Sequence, residues 1–277
     1  GIEEHPVNRK IIINKILIFK KKFIINMYSF IYQIILKDKQ MCYLILVRHG
    51  QSIWNLENRF TGWVDVDLNE NGVNQAKKAG KLINEKQINI DLYYTSFQLR
   101  AKNTLKIIQE QLGDNSKPRS AWQFNERHYG SLTGLNKDEM KKKLGEEKVH
   151  QFRRSWELRP DPLDKNSSYH PLNIDTYKDI PINKVPDTES LKDTYERVIK
   201  FYKEEIEKNF NGKNILISAH GNSIRALCKY LFNLDNNKIS QLEIPTGNPL
   251  LMKLNSNNKL LYCEYLDTGR AKDLLIY

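Results

Sequence analysis

At 277 residues, with 40% apolar and 28% charged side chains, the chain has the composition of a globular protein and room for one large α/β domain or two small ones. The formal charge of +11 is uneven: residues 1–40 hold eight Lys/Arg against three acids, and the remainder holds 36 against 30. A bias that mild suits a small anionic partner. With no basic stripe interleaved with aromatics, it argues against nucleic acid.

Three widely spaced cysteines, Cys42, Cys228 and Cys263, include no CxxC pair. They argue against a disulfide scaffold and a zinc site and point to a reducing, cytoplasmic setting.

In chain order, the Ile- and Phe-rich run from Ile11 to Leu36 is broken by Lys15, Lys20, Lys21 and Lys22. No uninterrupted stretch reaches the roughly 20 residues that span a bilayer, so no membrane partner is expected. Phe23–Leu36 has the apolar character of a signal-peptide core, but no small-residue cleavage site follows before Met41. Residues 1–40 are therefore expected to be an N-terminal extension, disordered or non-native, with an amphipathic targeting segment as the alternative. Residues 41–277 then form a single catalytic domain.

From Met41 onward, strand and helix signals alternate. Tyr43–Val47 is a continuous apolar run, as in a strand buried on both faces. Asn69 to Lys86 reads as a helix capped by Asn69, with Val73, Ala76, Gly80 and Ile83 on one face. A strand over Ile90–Thr95 precedes a helix whose stripe is Ala101, Leu105, Ile108 and Leu112. The segment between Pro160 and Pro186 loses all periodicity, and connections of that length are usually functional or disordered. A long amphipathic helix follows over Asp187–Asn209, capped by Asp187 or Thr188. Then come a buried strand at Asn214–Ala219, a helix at Asn222–Asn233, and two late strands near Leu250–Leu254 and Leu260–Leu266. Alternating βα units predict an α/β fold: a mostly parallel open sheet with helices on both faces.

Ligands of such sheets bind beyond the carboxyl ends of the strands. Two buried strands here end in similar words, Arg48-His49-Gly50 and His220-Gly221-Asn222. Each sets an imidazole at the rim, a glycine behind it and a helix N-terminus that attracts anions. Either triplet alone is more often a turn than a site. Together, with Ser52, Asn55, Arg59, Thr61 and Gly62 in one connection, they describe a phosphate pocket.

The longer words are more specific. Arg48-His49-Gly50-Gln51-Ser52-Ile53-Trp54-Asn55, Asn58-Arg59-Phe60-Thr61-Gly62-Trp63, Leu99-Arg100-Ala101, Asn125-Glu126-Arg127-His128-Tyr129-Gly130, Gly134-Leu135-Asn136-Lys137, Arg153-Arg154 and Ala219-His220-Gly221-Asn222-Ser223 occur in that order. In these words the chain resembles the cofactor-dependent phosphoglycerate mutases of the histidine phosphatase superfamily, over roughly Tyr43 to Leu266.

The resemblance implies interconversion of 3-phosphoglycerate and 2-phosphoglycerate through a phosphohistidine, with 2,3-bisphosphoglycerate as the priming donor and no metal. It implies His49 as nucleophile, its second ring nitrogen held by a backbone carbonyl near Gly50. Arg48, Arg100 and His220 would surround the phosphoryl group, with neutral donors from Ser52, Asn55, Thr61 and Gly62. Glu126 would be the general acid and base, although a Glu beside Arg127 is in isolation more often a surface ion pair. Tyr129, Lys137, Arg153, Arg154, Gly221 and Asn222 would hold the rest of the substrate.

The aromatic residues Trp54, Phe60 and Trp63 are expected in the core or at an interface rather than against ligand. The sequence does not give the oligomeric state; relatives are often dimers, so a homodimer is one open alternative. A water-excluding cover would come from Pro160–Pro186 or the C-terminal tail.

Three departures stand out: Gln51 replaces the commoner Glu, Leu56 stands where many relatives have Lys, and the sequence ends at Tyr277 where they often continue with a Lys-rich tail. From the last, a measurable bisphosphatase side activity is expected. The competing readings are a bisphosphoglycerate synthase or phosphatase using the same pocket, and a non-catalytic phosphate-binding scaffold. Synthesis-specialised relatives tend to carry glycine at the position of Ser52, and a scaffold would be expected to have lost His49, Glu126 or His220.

Overall fold

The computed structural model describes residues 19–29, 41–210 and 212–270. The chain divides into two units, Gly1–Met41 and Cys42–Tyr277. Of the expected N-terminal extension, residues 19–29 are helical with exposed side chains, and the rest lies outside the described residues, as does the tail from 271. No helix among the described residues is long and apolar enough to cross a membrane.

The second unit is built on six strands: β1 (Cys42–Arg48), β2 (Leu92–Thr95), β3 (Arg119–Ser120), β4 (Ile215–Ala219), β5 (Pro249–Leu254) and β6 (Leu260–Tyr265). Their order is β3-β2-β4-β1-β5-β6. The first four are mutually parallel, whereas β5 and β6 extend the sheet antiparallel. The expected parallel sheet is therefore present, with an antiparallel margin at one side.

Eight helices accompany it among the described residues of this unit: α1 (Ile53–Leu56), α2 (Glu70–Glu85), α3 (Leu99–Leu112), α4 (Lys137–Leu144), α5 (Glu146–Arg154), α6 (Leu191–Phe201), α7 (Gly221–Leu231) and α8 (Asn236–Gln241). Side chains of a strand alternate between faces, and β1 uses both. Leu44 and Leu46 join Ile215, Ile217 and Met252 against Val198 and Tyr202 from the α6 side and Ile224 and Leu227 of α7. Ile45 and Val47 join Leu216 and Leu251 against Ala79 and Ile83 of α2 and Leu105 and Ile108 of α3. Helices thus cover both faces of the central strands β1 and β4, which read as unbroken apolar runs because neither face meets water.

One boundary differs from expectation. The long helix starts at Leu191, not Asp187, capped by Ser190 in a reciprocal capping box with Asp193. Asp187 instead accepts from His170, and Glu189 pairs with Arg197, so tertiary contacts hold residues 187–189 extended. The helix then loosens into a π turn over Tyr202–Ile206 and a 3-10 turn over Glu207–Asn209.

Residues 160–186 contain only 3-10 turns, at Pro171–Asn173, Asp175–Tyr177 and Ile182–Lys184. They have their own apolar anchor: Tyr177 and Ile180 pack on buried Trp63, flanked by Phe97, Trp122 and Val185.

Candidate active site

Strands β1 and β4 are neighbours in register, Arg48 opposite Ala219. The N–H of His49 extends that ladder by donating to the Ala219 carbonyl at 2.9 Å. The two histidine words therefore leave the sheet side by side, and the rings of His49 and His220 lie 5.0 Å apart, centroid to centroid. Gly50 keeps the turn tight: a Cβ there would meet the Gly72 carbonyl oxygen of α2 at 2.2 Å.

His49 is buried, and its Nδ1 lies 2.6 Å from the Gly50 carbonyl oxygen. That contact requires a proton on Nδ1 and leaves Nε2 as a free lone pair. Burial, then the charges of Arg100 and Arg48, hold the imidazole well below its ordinary pKa, so it is neutral at pH 7. His220 is held low in the same way, by burial, then Arg100, then His49. Its Nε2 lies 2.7 Å from the Ser96 hydroxyl.

A cleft of about 440 Å3 opens beside His49, lined by Arg48, Asn55, Arg59, Phe60, Thr61, Gly62, Arg100, Glu126, Tyr129, Lys137 and Arg153. It continues into a second cleft that shares Arg48, Glu126, Tyr129 and Arg153 and adds Arg154, Gly221, Asn222, Arg225, Glu243 and Ile244. The first cleft sets five cationic side chains against one carboxylate. Three buried polar atoms at this end lack a protein partner: Arg48 Nε, Thr61 Oγ1 and His220 Nδ1. Buried polar atoms are rarely left unpaired, and three beside a free imidazole nitrogen fit an anionic oxygen cluster.

The cations are fixed from behind. Arg100 donates to the Gly62 and Val64 carbonyls at 2.9 and 3.0 Å, and Arg48 to the Ile244 carbonyl at 2.7 Å. Lys137 donates to the Arg59 carbonyl at 2.8 Å, and burial presses its pKa down to about 8. Glu126 is oriented through one oxygen: Oε1 accepts from the Arg127 N–H at 2.8 Å and from Asn222 N and Nδ2 at 3.2 and 2.8 Å.

All the residues expected at the site except Ser52 and His220 line one or both clefts, and His220 lies directly behind His49. Ser52 is buried as the N-cap of α1, where its hydroxyl accepts from the Asn55 N–H while Asn55 Oδ1 accepts from the Ser52 N–H. Phe60 corrects the expectation for the aromatics, because it is buried and also lines the cleft. Trp63 belongs to the core as expected, and Trp54 carries the Arg59 guanidinium 3.9 Å above its ring.

Arg59 and Arg225 are cleft residues absent from the expected site. The sequence marks Arg59 only as part of a polar connection. Arg225 sits mid-helix in α7 among apolar neighbours, where only its length and charge hinted at a role. Among the described residues, no group of three or more His, Cys, Asp or Glu converges as a metal site would.

The profile of the histidine phosphatase superfamily (branch 1) matches residues 44–174 and 164–262. The chain belongs to the histidine phosphatase superfamily. Within it, a 2,3-bisphosphoglycerate-dependent phosphoglycerate mutase of Pelagibacter ubique (strain HTCC1062) is 66% identical over 238 residues, covering 86% of this chain and all of that protein. A protein of the same name from Borrelia garinii subsp. bavariensis is 46% identical over 84% of this chain and 95% of its own length.

Solved superfamily structures share the fold at lower identity. A mycobacterial glucosyl-3-phosphoglycerate phosphatase superposes with a TM-score of 0.57 at 22% identity, covering 76% of this chain and 92% of the other. YhfR of Bacillus stearothermophilus does so at 0.59 and 21%, covering 79% and 94%.

Proposed function

We infer that this chain interconverts 3-phosphoglycerate and 2-phosphoglycerate by way of a phosphohistidine at His49. The observation that carries the reading is a neutral, buried imidazole whose only free nitrogen opens on a cleft of fixed cations, in a chain 66% identical to a mutase of that name. 2,3-Bisphosphoglycerate supplies the priming phosphoryl group.

His49 Nε2 accepts the phosphoryl group and later returns it, dividing one transfer into two. Arg48, Arg100 and His220, with the Asn55 amide and the Thr61–Gly62 segment, hold the charge of the group in flight. Phosphoryl transfer asks for little else than such positioning. Glu126 takes the proton of the attacking substrate hydroxyl and gives it back to the leaving oxygen, using the carboxylate oxygen not committed to Asn222. Tyr129, Lys137, Arg59, Arg153, Arg154 and Arg225 line the space for the far phosphate and the carboxylate. Residues 160–186 serve as the cover that keeps water from phosphohistidine.

Three widely spaced cysteines with no CxxC pair support a cytoplasmic setting, and this reading is compatible with a homodimer. The test is a coupled assay for 2-phosphoglycerate with and without added 2,3-bisphosphoglycerate, on wild type and His49→Ala. Activity that depends on the bisphosphate and vanishes in the variant is expected. Activity indifferent to either removes the mechanism. Free phosphate as the main product assigns the site to a phosphatase instead.

A further inference from the structure

Gln98 lines neither cleft and is fully buried at the N-terminus of α3. Its side chain nevertheless makes four hydrogen bonds, as many as an amide can. Oε1 accepts from the Glu126 N–H at 2.9 Å and from Arg100 Nη2 at 3.3 Å. Nε2 donates to the Gly62 carbonyl at 2.9 Å and to the Tyr177 hydroxyl at 3.1 Å.

The amide orientation is not arbitrary, since a backbone N–H can only donate and a carbonyl can only accept. Tyr177 spends its own proton on the Trp63 carbonyl, so toward Gln98 it can only accept. The main-chain N–H of Gln98 donates to Ser96 Oγ at 3.1 Å, the hydroxyl that holds His220 Nε2. One residue thus touches the arginine beside the phosphoryl site, the loop of the acid/base carboxylate, the Gly62 turn and the residue-160–186 segment.

We propose that Gln98 is a positioning residue that locks Arg100 and Glu126 into a single frame around His49. This rests on the mutase reading above. Donors fixed before the reaction need not reorganise as charge develops, and a flexible or apolar side chain at this position would let the Arg100 guanidinium and the Glu126 peptide settle independently. The position of Gln98 one residue before the Leu99-Arg100-Ala101 word, and across from Asn125-Glu126, makes the coupling short and direct. Substrate meets none of these amide atoms, so the effect falls on the chemical step more than on affinity.

The experiment is a double-mutant cycle on kcat and KM in the coupled mutase assay, using Gln98→Met and Gln98→Glu, each alone and in a Glu126→Gln background. Gln98→Met keeps length and removes all four bonds, whereas Gln98→Glu keeps the acceptor side and loses the donor side. The expected result is a fall in kcat of about tenfold to a hundredfold for Gln98→Met, with KM within about threefold, the scale on which small misplacements act. In the Glu126→Gln background the same substitution costs at least about threefold less than in wild type, the remainder being its hold on Arg100.

Equal losses in both backgrounds overturn the proposal, as does a kcat within twofold of wild type. Should Gln98→Met fail to fold, Gln98→Glu carries the same cycle with the same two outcomes. A wild-type enzyme without mutase activity sinks the functional reading instead, a result distinct from an active wild type whose Gln98 variants behave additively.

Discussion

Lys137 is where burial and charge oppose each other most directly at the site. Burial presses its ammonium down to about 8, Tyr129 opposes that, and Arg153 and Arg48 add to it. The side chain is thus mostly cationic at pH 7 and mostly neutral at pH 9. A monophosphate entering the free enzyme loses one cationic partner across that interval. kcat/KM is therefore expected to fall by about tenfold or less as pH rises through 8, and Lys137→Met to lower kcat/KM at pH 7 and flatten that limb; a wild-type profile level from pH 7 to 9 contradicts it.

Lys137 was legible in the sequence through the word Gly-Leu-Asn-Lys, as were His49, Glu126 and His220 through theirs. Gln98 and Arg225 were not. Three of the four side-chain partners of Gln98 lie 28 residues or more away, and Arg225 lies on a helix face that reads as ordinary amphipathic surface. Ser52 illustrates the opposite limit: its word was noticed, but the hydroxyl is engaged in capping, a local role that the same pattern encodes equally well.

At the scale of elements, β1, β2 and β4 and α2, α3 and α7 are readable because burial on both faces or on one stripe imprints a period on the sequence, whereas the two-residue, exposed β3 is not. Helices α4 and α5 were not, because the Lys- and Glu-rich stretch 137–154 buries only Met140 and Val149 deeply and so shows no stripe. The segment 160–186 was visible only as a loss of pattern, and what fixes it is a set of single contacts. The Asp161 carbonyl accepts from the Ser131 N–H at 2.8 Å and lies so close over Gly130 that a Cβ there would meet it at 2.0 Å. Gly130 also has φ +56°, a conformation that costs another residue roughly 1–2 kcal/mol.

Gly130→Ala is therefore expected to lower stability by about 2 kcal/mol or more and to lift the 160–162 end of the segment off the Glu126 loop. Limited proteolysis should cut within 160–186 faster than in wild type, and phosphohistidine, no longer shielded, should hydrolyse faster. An unchanged cleavage pattern in a destabilised variant means that the contacts of Tyr169, His170, Thr176 and Tyr177 hold the segment without the Gly130–Asp161 contact.

Over the whole molecule, the same burial that readies the imidazoles sets a limit on acid stability. His49 and His220 are held well below their ordinary range by burial and arginines. His128 falls to about 3 through burial and the neighbouring His170, with Asp187 opposing. A depressed histidine binds its proton in the unfolded chain before it does in the native one. Below the ordinary value of 6.5 the unfolded state therefore takes up more protons, and stability falls as pH falls, by about 1.4 kcal/mol per pH unit for each such histidine.

The depressed carboxylates, Asp114, Asp138, Asp193, Asp235 and Glu264, contribute nothing to that slope until pH approaches their unfolded values of 3.8 for Asp and 4.5 for Glu. The window between 6.5 and 5 thus belongs to the histidines. His128 alone, held near 3, removes about 2 kcal/mol by pH 5, and His49 and His220 act in the same direction, against the roughly 5–15 kcal/mol that holds a domain folded. The urea midpoint is expected to drop steeply between pH 7 and pH 5 at constant m-value, and His128→Gln, whose amide oxygen can still accept from the Gly130 N–H, to recover about 2 kcal/mol of the loss at pH 5. Midpoints that stay level over that range mean that the three rings take up protons in the native state at the same pH as in the unfolded chain, and a slope that His128→Gln leaves untouched means that His128 does so.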